Sequence, residues 1–335
     1  MESASALRKL PRLLRPGVWL YRFYHTPKGF LHKTLKEGPV NRLITYRGRV
    51  EMEKAADRLP PISNGTGGAP LEVHFLTGRR FWYQTCFCMH SMIQHSDIGL
   101  RPVISDDGTL GQKYADKIRR VFPDARIIFA GEAEARLDDH LPRHKFPTLR
   151  QRRLSLPLMR KLMDIHGGSS GWKLFLDSDM LFFKRPAFLL EWLQTPTRPC
   201  HMVDVGEAYG YSARLMTSLT QAAIPERLNS GICGLKSDEL DWERLEFWCK
   251  TMLEREGSSY YQEQALTAML MAGKSCAVVP AADYVVLPAR EEVIGPKAVL
   301  HHYVAESKSW YFRYGWKHVL RGGREPNPLS AAGTL

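Results

Sequence analysis

The stretch that most restricts what this chain can become is LFLDSDMLFF, residues 174–183, where three apolar residues run into two carboxylates separated by one serine. Leu174, Phe175 and Leu176 read as a strand of a sheet covered on both faces. Asp177 and Asp179 then sit at its carboxyl end, the edge where open α/β sheets bind ligands. Two carboxylates so close repel by roughly 1 kcal/mol or more unless a cation or a proton lies between them. Oxygen ligands suit Mg²⁺ or Mn²⁺, so a hard metal is the first expectation. A solvated turn in which Asp caps the next helix is the plain alternative, but the apolar flanks leave it little room. A phosphatase-type pair, with Asp177 attacking phosphorus, is the second chemical alternative. That motif usually opens its fold, whereas here much of the chain precedes it and Met180 follows.

The chain before this centre alternates strand and helix. LEVHFLTG, residues 71–78, reads as a first strand, and FWYQTCFCMHSMIQH from Phe81 has apolar residues at helical spacing. RPVISDDGTL, residues 101–110, is a second strand closing at Asp106 and Asp107, GQKYADKIRRVF a helix, and RIIFA, residues 126–130, a third strand. This order argues for a parallel sheet. The turn TGRR, from Thr77 to Arg80, falls at the same sheet edge as the acids, where Arg79 and Arg80 could meet phosphate or stand as a solvated basic turn. Asp106 and Asp107, just before Gly108, read as turn residues rather than ribose contacts. LSLPLMRKLMDIHGG, residues 154–168, is expected as one helix stopped by Gly167 and Gly168. Further on, Asn229-Ser230-Gly231 reads as a small-residue turn that lets backbone approach a ligand. Gln262, Glu263 and Gln264 open a helix, whose dipole alone favours an acid there.

With 335 residues, 44% of them hydrophobic, the chain can bury a real core. Residues 59–70, LPPISNGTGGAP, mark a linker, so the expected domains are a basic extension at 1–68, a catalytic α/β domain at 69–320 and a tail at 321–335. No apolar run is long enough to span a membrane and residues 1–20 lack a secretory pattern, which leads to the expectation of a cytoplasmic protein with reduced thiols. Of the formal charge of +12, most lies in residues 1–50, with 11 Lys or Arg against Glu2 and Glu37. Interleaved with Trp19, Tyr21, Phe23 and Tyr24, these cations suit peripheral contact with an anionic membrane. Packing on the chain's own domain, or attraction of a phosphate-bearing substrate, is an equal alternative. No nucleic-acid motif accompanies the charge.

Taken in order, four pieces resemble the metal-dependent nucleotide-diphospho-sugar glycosyltransferases of the Rossmann-like (GT-A) fold. The resemblance is nearest to the retaining family 8 group, with its glycogenin-like and lipopolysaccharide galactosyltransferase-like enzymes. The pieces are Asp177 and Asp179; Asn229, Ser230 and Gly231 in LNSGICGL; Glu263 and Gln264 in place of Asp-Gln-Asp; and HYVAESKSW, where His302, Lys308 and Trp310 keep the spacing of His-x-x-Gly-x-x-Lys-Pro-Trp. The resemblance implies one Rossmann-like domain with a mixed, mostly parallel sheet. It implies Mn²⁺ or Mg²⁺ held by Asp177, Asp179 and His302, and donor contacts from Thr77, Arg160, Ser178, Gly231 and Lys308. Asn229, Glu263 and Gln264 would work at the transferred sugar. The partners implied are a UDP-type sugar donor and a hydroxyl acceptor in a glycan, lipid or protein. Ala305, Ser309 and Ala265 replace the family's Gly, Pro and last Asp. The readings kept beside it are a phosphohydrolase with Asp177 as nucleophile, and a catalytically silent membrane- or polyanion-binding protein.

Overall fold

The computed structural model describes residues 38–63 and 69–321. By its contacts the chain divides between Glu51 and Met52. The basic segment before residue 38 and the tail after 321 lie outside the described residues. Helix α1, Pro39–Ala56, precedes the sheet. No described helix is long and apolar enough to cross a membrane.

The strands are β1 (Leu71–Thr77), β2 (Leu100–Asp106), β3 (Arg126–Ile128), β4 (Trp172–Leu176), β5 (Met180–Phe182), β6 (Cys200–Val203), β7 (Leu228–Lys236), β8 (Ala277–Val278), β9 (Tyr284–Val286) and β10 (Leu300–His302). Seven form one sheet in the order β3-β2-β1-β4-β7-β6-β8, and β5-β10-β9 form a second. All pairings in the large sheet are parallel except the two that β7 makes with β4 and β6. This is the expected α/β class, a Rossmann-like domain with a mixed, mostly parallel sheet. The apolar run at 174–176 is inside it, with Leu174 and Leu176 fully buried.

Helices α2 (Trp82–Gln94), α3 (Gly111–Val121) and α4 (Ala130–His140) follow the first three strands. Helix α2 is buried from Trp82 to Ile93, so its apolar residues leave no solvent face. Asp106 closes β2 as a turn residue: its Oδ1 accepts from the backbone N–H groups of Gly108, Thr109 and Leu110 at 2.7, 3.0 and 2.9 Å.

Three local expectations are corrected. The span 154–168 is not one helix. Helix α5 covers Pro147–Ser155, a 3₁₀ turn follows at Pro157–Met159, and α6 covers Arg160–His166. Pro157 lacks an N–H and forces Leu156 into an extended conformation (φ −127°, ψ 93°), which ends α5. Asn229-Ser230-Gly231 is no turn but lies within β7, where pairing with β6 and β4 outweighs small-residue propensity. The folded unit also begins before residue 69. Met52, Ala56 and Leu59 are in the main core, and Arg120 donates to the carbonyls of Ala56 and Leu59 at 2.8 and 3.0 Å. These three apolar residues, in a stretch where Lys54 and Arg58 balance Glu53 and Asp57, hold it there.

Candidate active site

Two backbone pairings bring distant residues to the Asp pair. Asp177, one residue past β4, donates its N–H to Gly231 O at 2.8 Å, because β7 runs antiparallel beside β4. Tyr303 N–H donates to Asp179 O at 2.9 Å, because β10 pairs with β5, with His302 opposite Met180. The two acids are thereby clasped from both sides by main chain.

The side chains then converge. His302 Nε2 lies 3.4 Å from Asp179 Oδ1 and 3.7 Å from Asp177 Oδ2. One ligand atom from each of the three residues falls within 4.8 Å of the others. His302 is buried, and its Nδ1 has no hydrogen-bond partner among the described residues. Two carboxylate oxygens and an imidazole nitrogen at this spacing fit a single divalent ion such as Mn²⁺ or Mg²⁺. On the solvent side, half-exposed Lys308 holds Asp179 Oδ2 at 3.0 Å. Burial disfavours the Asp179 carboxylate, but Lys308 and His302 outweigh it and hold its pKa well below the usual range. It is a ready anion.

On the inner side Lys161, from α6, reaches Asp177 Oδ1 at 2.7 Å and lies 3.8 Å from Glu263 Oε2, its ammonium over the Phe175 ring. Burial opposes its charge, yet Asp177 and Glu263 prevail and raise its pKa. Glu263, in the first turn of helix α7 (Gln262–Leu270), is buried, which raises its pKa against the pull of Lys161. Ser230 Oγ donates to its Oε2 at 2.9 Å and Thr267 Oγ1 to its Oε1 at 3.2 Å. Gln264 accepts from Ser230 N–H at 3.2 Å and donates to Ala208 O at 2.9 Å. Asn229 accepts from Gly231 N–H and donates to Asp204 Oδ2, both at 2.8 Å. Gly231 is forced by space: a Cβ there would stand 2.5 Å from His302 Cε1 and 2.7 Å from Asn229 Oδ1.

Asp177, Asp179, His302, Lys308, Asn229, Glu263 and Gln264 all line one cavity of about 490 Å³. Lys161, Asp204 and the exposed Tyr260 and Tyr261 line it too. Four residues expected at the donor do not. Ser178 turns away to share a hydrogen bond of 2.7 Å with Thr85 Oγ1, which donates to Thr77 Oγ1 at 2.9 Å, so Thr77 and Ser178 fasten the acidic turn to β1 and α2 from behind. Gly231 supports the wall without forming it. Arg160 donates to Asp164 Oδ2 at 3.0 Å and stands beside Gly108. Its neighbour Lys161 reaches the acids instead, since successive helical residues point about 100° apart.

Sequence reasoning missed Lys161, Asp204 and Thr85. Adjacency to Arg160 was the only signal for Lys161, and the other two carried none. Ala305, where the resemblance has Gly, takes the left-handed conformation that a Gly would adopt freely, with φ +47°.

No protein-family model and no curated protein matches this chain. Among solved structures it is similar to mouse xyloside xylosyltransferase 1 in its apo form, with 10% identity, 72% of this chain and 99% of that one covered, and a TM-score of 0.49. It is similar to the galactosyltransferase LgtC in complex with donor and acceptor sugar analogs, at 12% identity over 76% of this chain and 95% of that one, TM-score 0.49. The glycosyltransferase GlyE of Streptococcus pneumoniae TIGR4, in its apo form, is 15% identical over 76% of this chain and 62% of that one, TM-score 0.43. These are distant likenesses of chain course, and the chemistry of the cavity is read from its own side chains.

Proposed function

We propose that this chain is a metal-dependent glycosyltransferase that moves a sugar from a nucleoside diphosphate, UDP foremost, to a hydroxyl acceptor. The observation that carries the reading is the Asp177–Asp179–His302 triad, with Lys308 beside it on the wall of the same cavity. Asp177, Asp179 and His302 would hold Mn²⁺ or Mg²⁺. The bound ion supplies positive charge against the departing diphosphate. Lys308, half-exposed and already ionised against Asp179, is free to exchange part of that pairing for phosphate oxygens. Lys161 holds one oxygen of Asp177 in place, so that the other remains directed at His302. Asn229, Glu263 and Gln264 would work at the sugar and the acceptor, each held by a hydrogen bond to another residue of the cavity wall, Asp204, Ser230 and Ala208 respectively. In keeping with the resemblance, the anomeric configuration is retained, with Gln264 beside the reacting carbon.

A phosphohydrolase would need Asp177 as a free nucleophile. Here one of its oxygens is 2.7 Å from Lys161 and the other faces His302, the setting of a ligand rather than an attacking group. Calorimetric titration with UDP tests the proposal, first with Mn²⁺, then with excess chelator, and again on Asp179→Ala. Binding that requires the metal and weakens by about 100-fold in the variant supports it. If no nucleoside diphosphate binds with metal present, the transferase reading fails.

A further inference from the structure

His302 follows a residue that is tied to a carboxylate the catalytic reading leaves unused. His301 and His302 are consecutive in β10, so their side chains leave the strand on opposite faces. His302 faces Asp177 and Asp179, while on the other side the fully buried His301 meets Glu292 Oε1 through its Nε2 at 2.9 Å. A carboxylate only accepts, so Nε2 is the donor. The same oxygen accepts from the backbone N–H groups of Lys297 and Ala298 at 2.8 and 2.9 Å. Glu292 belongs to the short helix α8, Arg290–Ile294. One carboxylate oxygen thus ties that helix to the chain entering β10 and to β10 itself. The His301 ring also lies 4.7 Å from the Phe183 ring, centroid to centroid, and the Tyr303 hydroxyl is 3.2 Å from its Nδ1.

His302 has no such tie of its own. A histidine that ligates a metal ordinarily gives its second ring nitrogen to a carboxylate or a carbonyl, which fixes the ring. His302 Nδ1 is buried and has no hydrogen-bond partner among the described residues. The place of the ring is left to close contact with Gly231 and to the strand that carries it. Leu287 holds that strand at His302 itself. Its N–H donates to His302 O at 3.0 Å from a left-handed conformation (φ +57°), which a bulky residue keeps only where its surroundings impose it. Glu292 holds the strand one residue earlier. On the reading that Asp177, Asp179 and His302 bind a divalent ion, we propose that Glu292 is a positioning residue for the metal site. Acting through His301, it fixes β10 and with it the reach of His302 to the two acids.

The test is calorimetric titration of Mn²⁺, without nucleotide, into the full chain and three variants. His301→Phe removes the link and keeps a ring beside Phe183, Glu292→Ala removes the carboxylate, and Glu292→Gln keeps an oxygen that accepts. The wild type is expected to bind Mn²⁺, and His301→Phe and Glu292→Ala to bind it about tenfold more weakly. Glu292→Gln should recover most of that loss. A purely structural role would lower the melting temperature of the first two variants and leave the Mn²⁺ affinity of the folded protein unchanged, which overturns the proposal. Glu292→Gln as weak as Glu292→Ala overturns it too, since charge and not the bond would then be the cause. If Glu292→Ala melts below the titration temperature, His301→Phe, in which Glu292 keeps its two backbone donors, gives the same comparison. A wild type that binds no Mn²⁺ is a separate result: it ends the metal reading itself, and the role of Glu292 with it.

Discussion

Two clusters of opposed charge lie close together in this sequence and are completed differently. In the first, between α4 and α6, Arg153 donates to both carboxylate oxygens of buried Asp164, one of them at 2.8 Å, and to Glu134 at 2.5 Å. Arg160 adds a third donor to Asp164, and Arg150 reaches Glu134 and Asp138 at 2.5 and 2.6 Å. Guanidinium forks meet carboxylates with the geometry each side needs, and the charge is closed on itself. In the second, Asp177, Asp179 and His302 face a cavity, with one ligand atom from each within 4.8 Å of the others and the ring 3.4 and 3.7 Å from the two carboxylates. Residue types alone would not separate the two, since both mix acids with cations. Saturation separates them: a closed cluster holds the fold, and an open one is available to a ligand.

The largest expected effect strikes the closed cluster. Asp164→Ala leaves Arg153 buried with Glu134 alone and should cost about 3–5 kcal/mol in denaturant unfolding. A loss below about 1 kcal/mol would mean that the network is looser than its hydrogen bonds imply. The same truncation in the open cluster should cost much less. Asp179→Ala, which is expected to weaken nucleotide binding by about 100-fold, should lower the melting temperature only slightly, because its partner Lys308 is half-exposed and regains water when the carboxylate is gone. A marked fall in melting temperature would make the acidic pair structural and dissolve the contrast.

Gly231→Ala probes how finely the open cluster is set. Its methyl group has to displace the His302 ring or the Asn229 amide, so Mn²⁺ affinity should fall by about tenfold in a calorimetric titration. Unchanged affinity would show that the His302 position is forgiving. The smallest effect belongs to His166, at the end of α6, whose Nδ1 lies 2.9 Å from Ser237 Oγ. Burial first, and then Lys173, lower its pKa to about 3. The unfolded chain takes up that proton near pH 6.5, so the stability contribution is whole above about pH 6.5 and is lost as pH falls toward 3, by at most about 1.4 kcal/mol per pH unit. His166→Gln should flatten the acid limb of a stability–pH curve measured with urea. An identical slope would remove His166 as its cause.

Much of the fold was legible because its strands are short, apolar and bounded by turns. The runs at 71–77, 100–106 and 174–176 each lie in the large sheet, as their patterns suggest. Boundaries failed where a single residue or a partner strand overrode local pattern. Pro157 cut an apparent helix, and β6 drew Asn229-Ser230-Gly231 out of a turn and into a strand. At the site, the acids and His302 with Lys308 were visible through spacing, and they do meet on one cavity wall. Arg160 and Lys161 could not be told apart in sequence, since which of two adjacent helical residues faces an acid depends on how α6 is rolled against the sheet.

What the sequence determined by itself was local: an apolar strand that must end in two acids, strands and helices alternating before it, and a basic segment at residues 1–50. Hydrophobic burial and backbone geometry act within a few residues, so such features survive being read in one dimension. Only the tertiary structure decided that Lys161 reaches Asp177, that Ser178 faces backward to Thr85, and that β10 returns alongside β5 to set His302 over the acids. Those facts depend on strand pairing and helix roll between segments far apart in the chain. No local propensity carries that information.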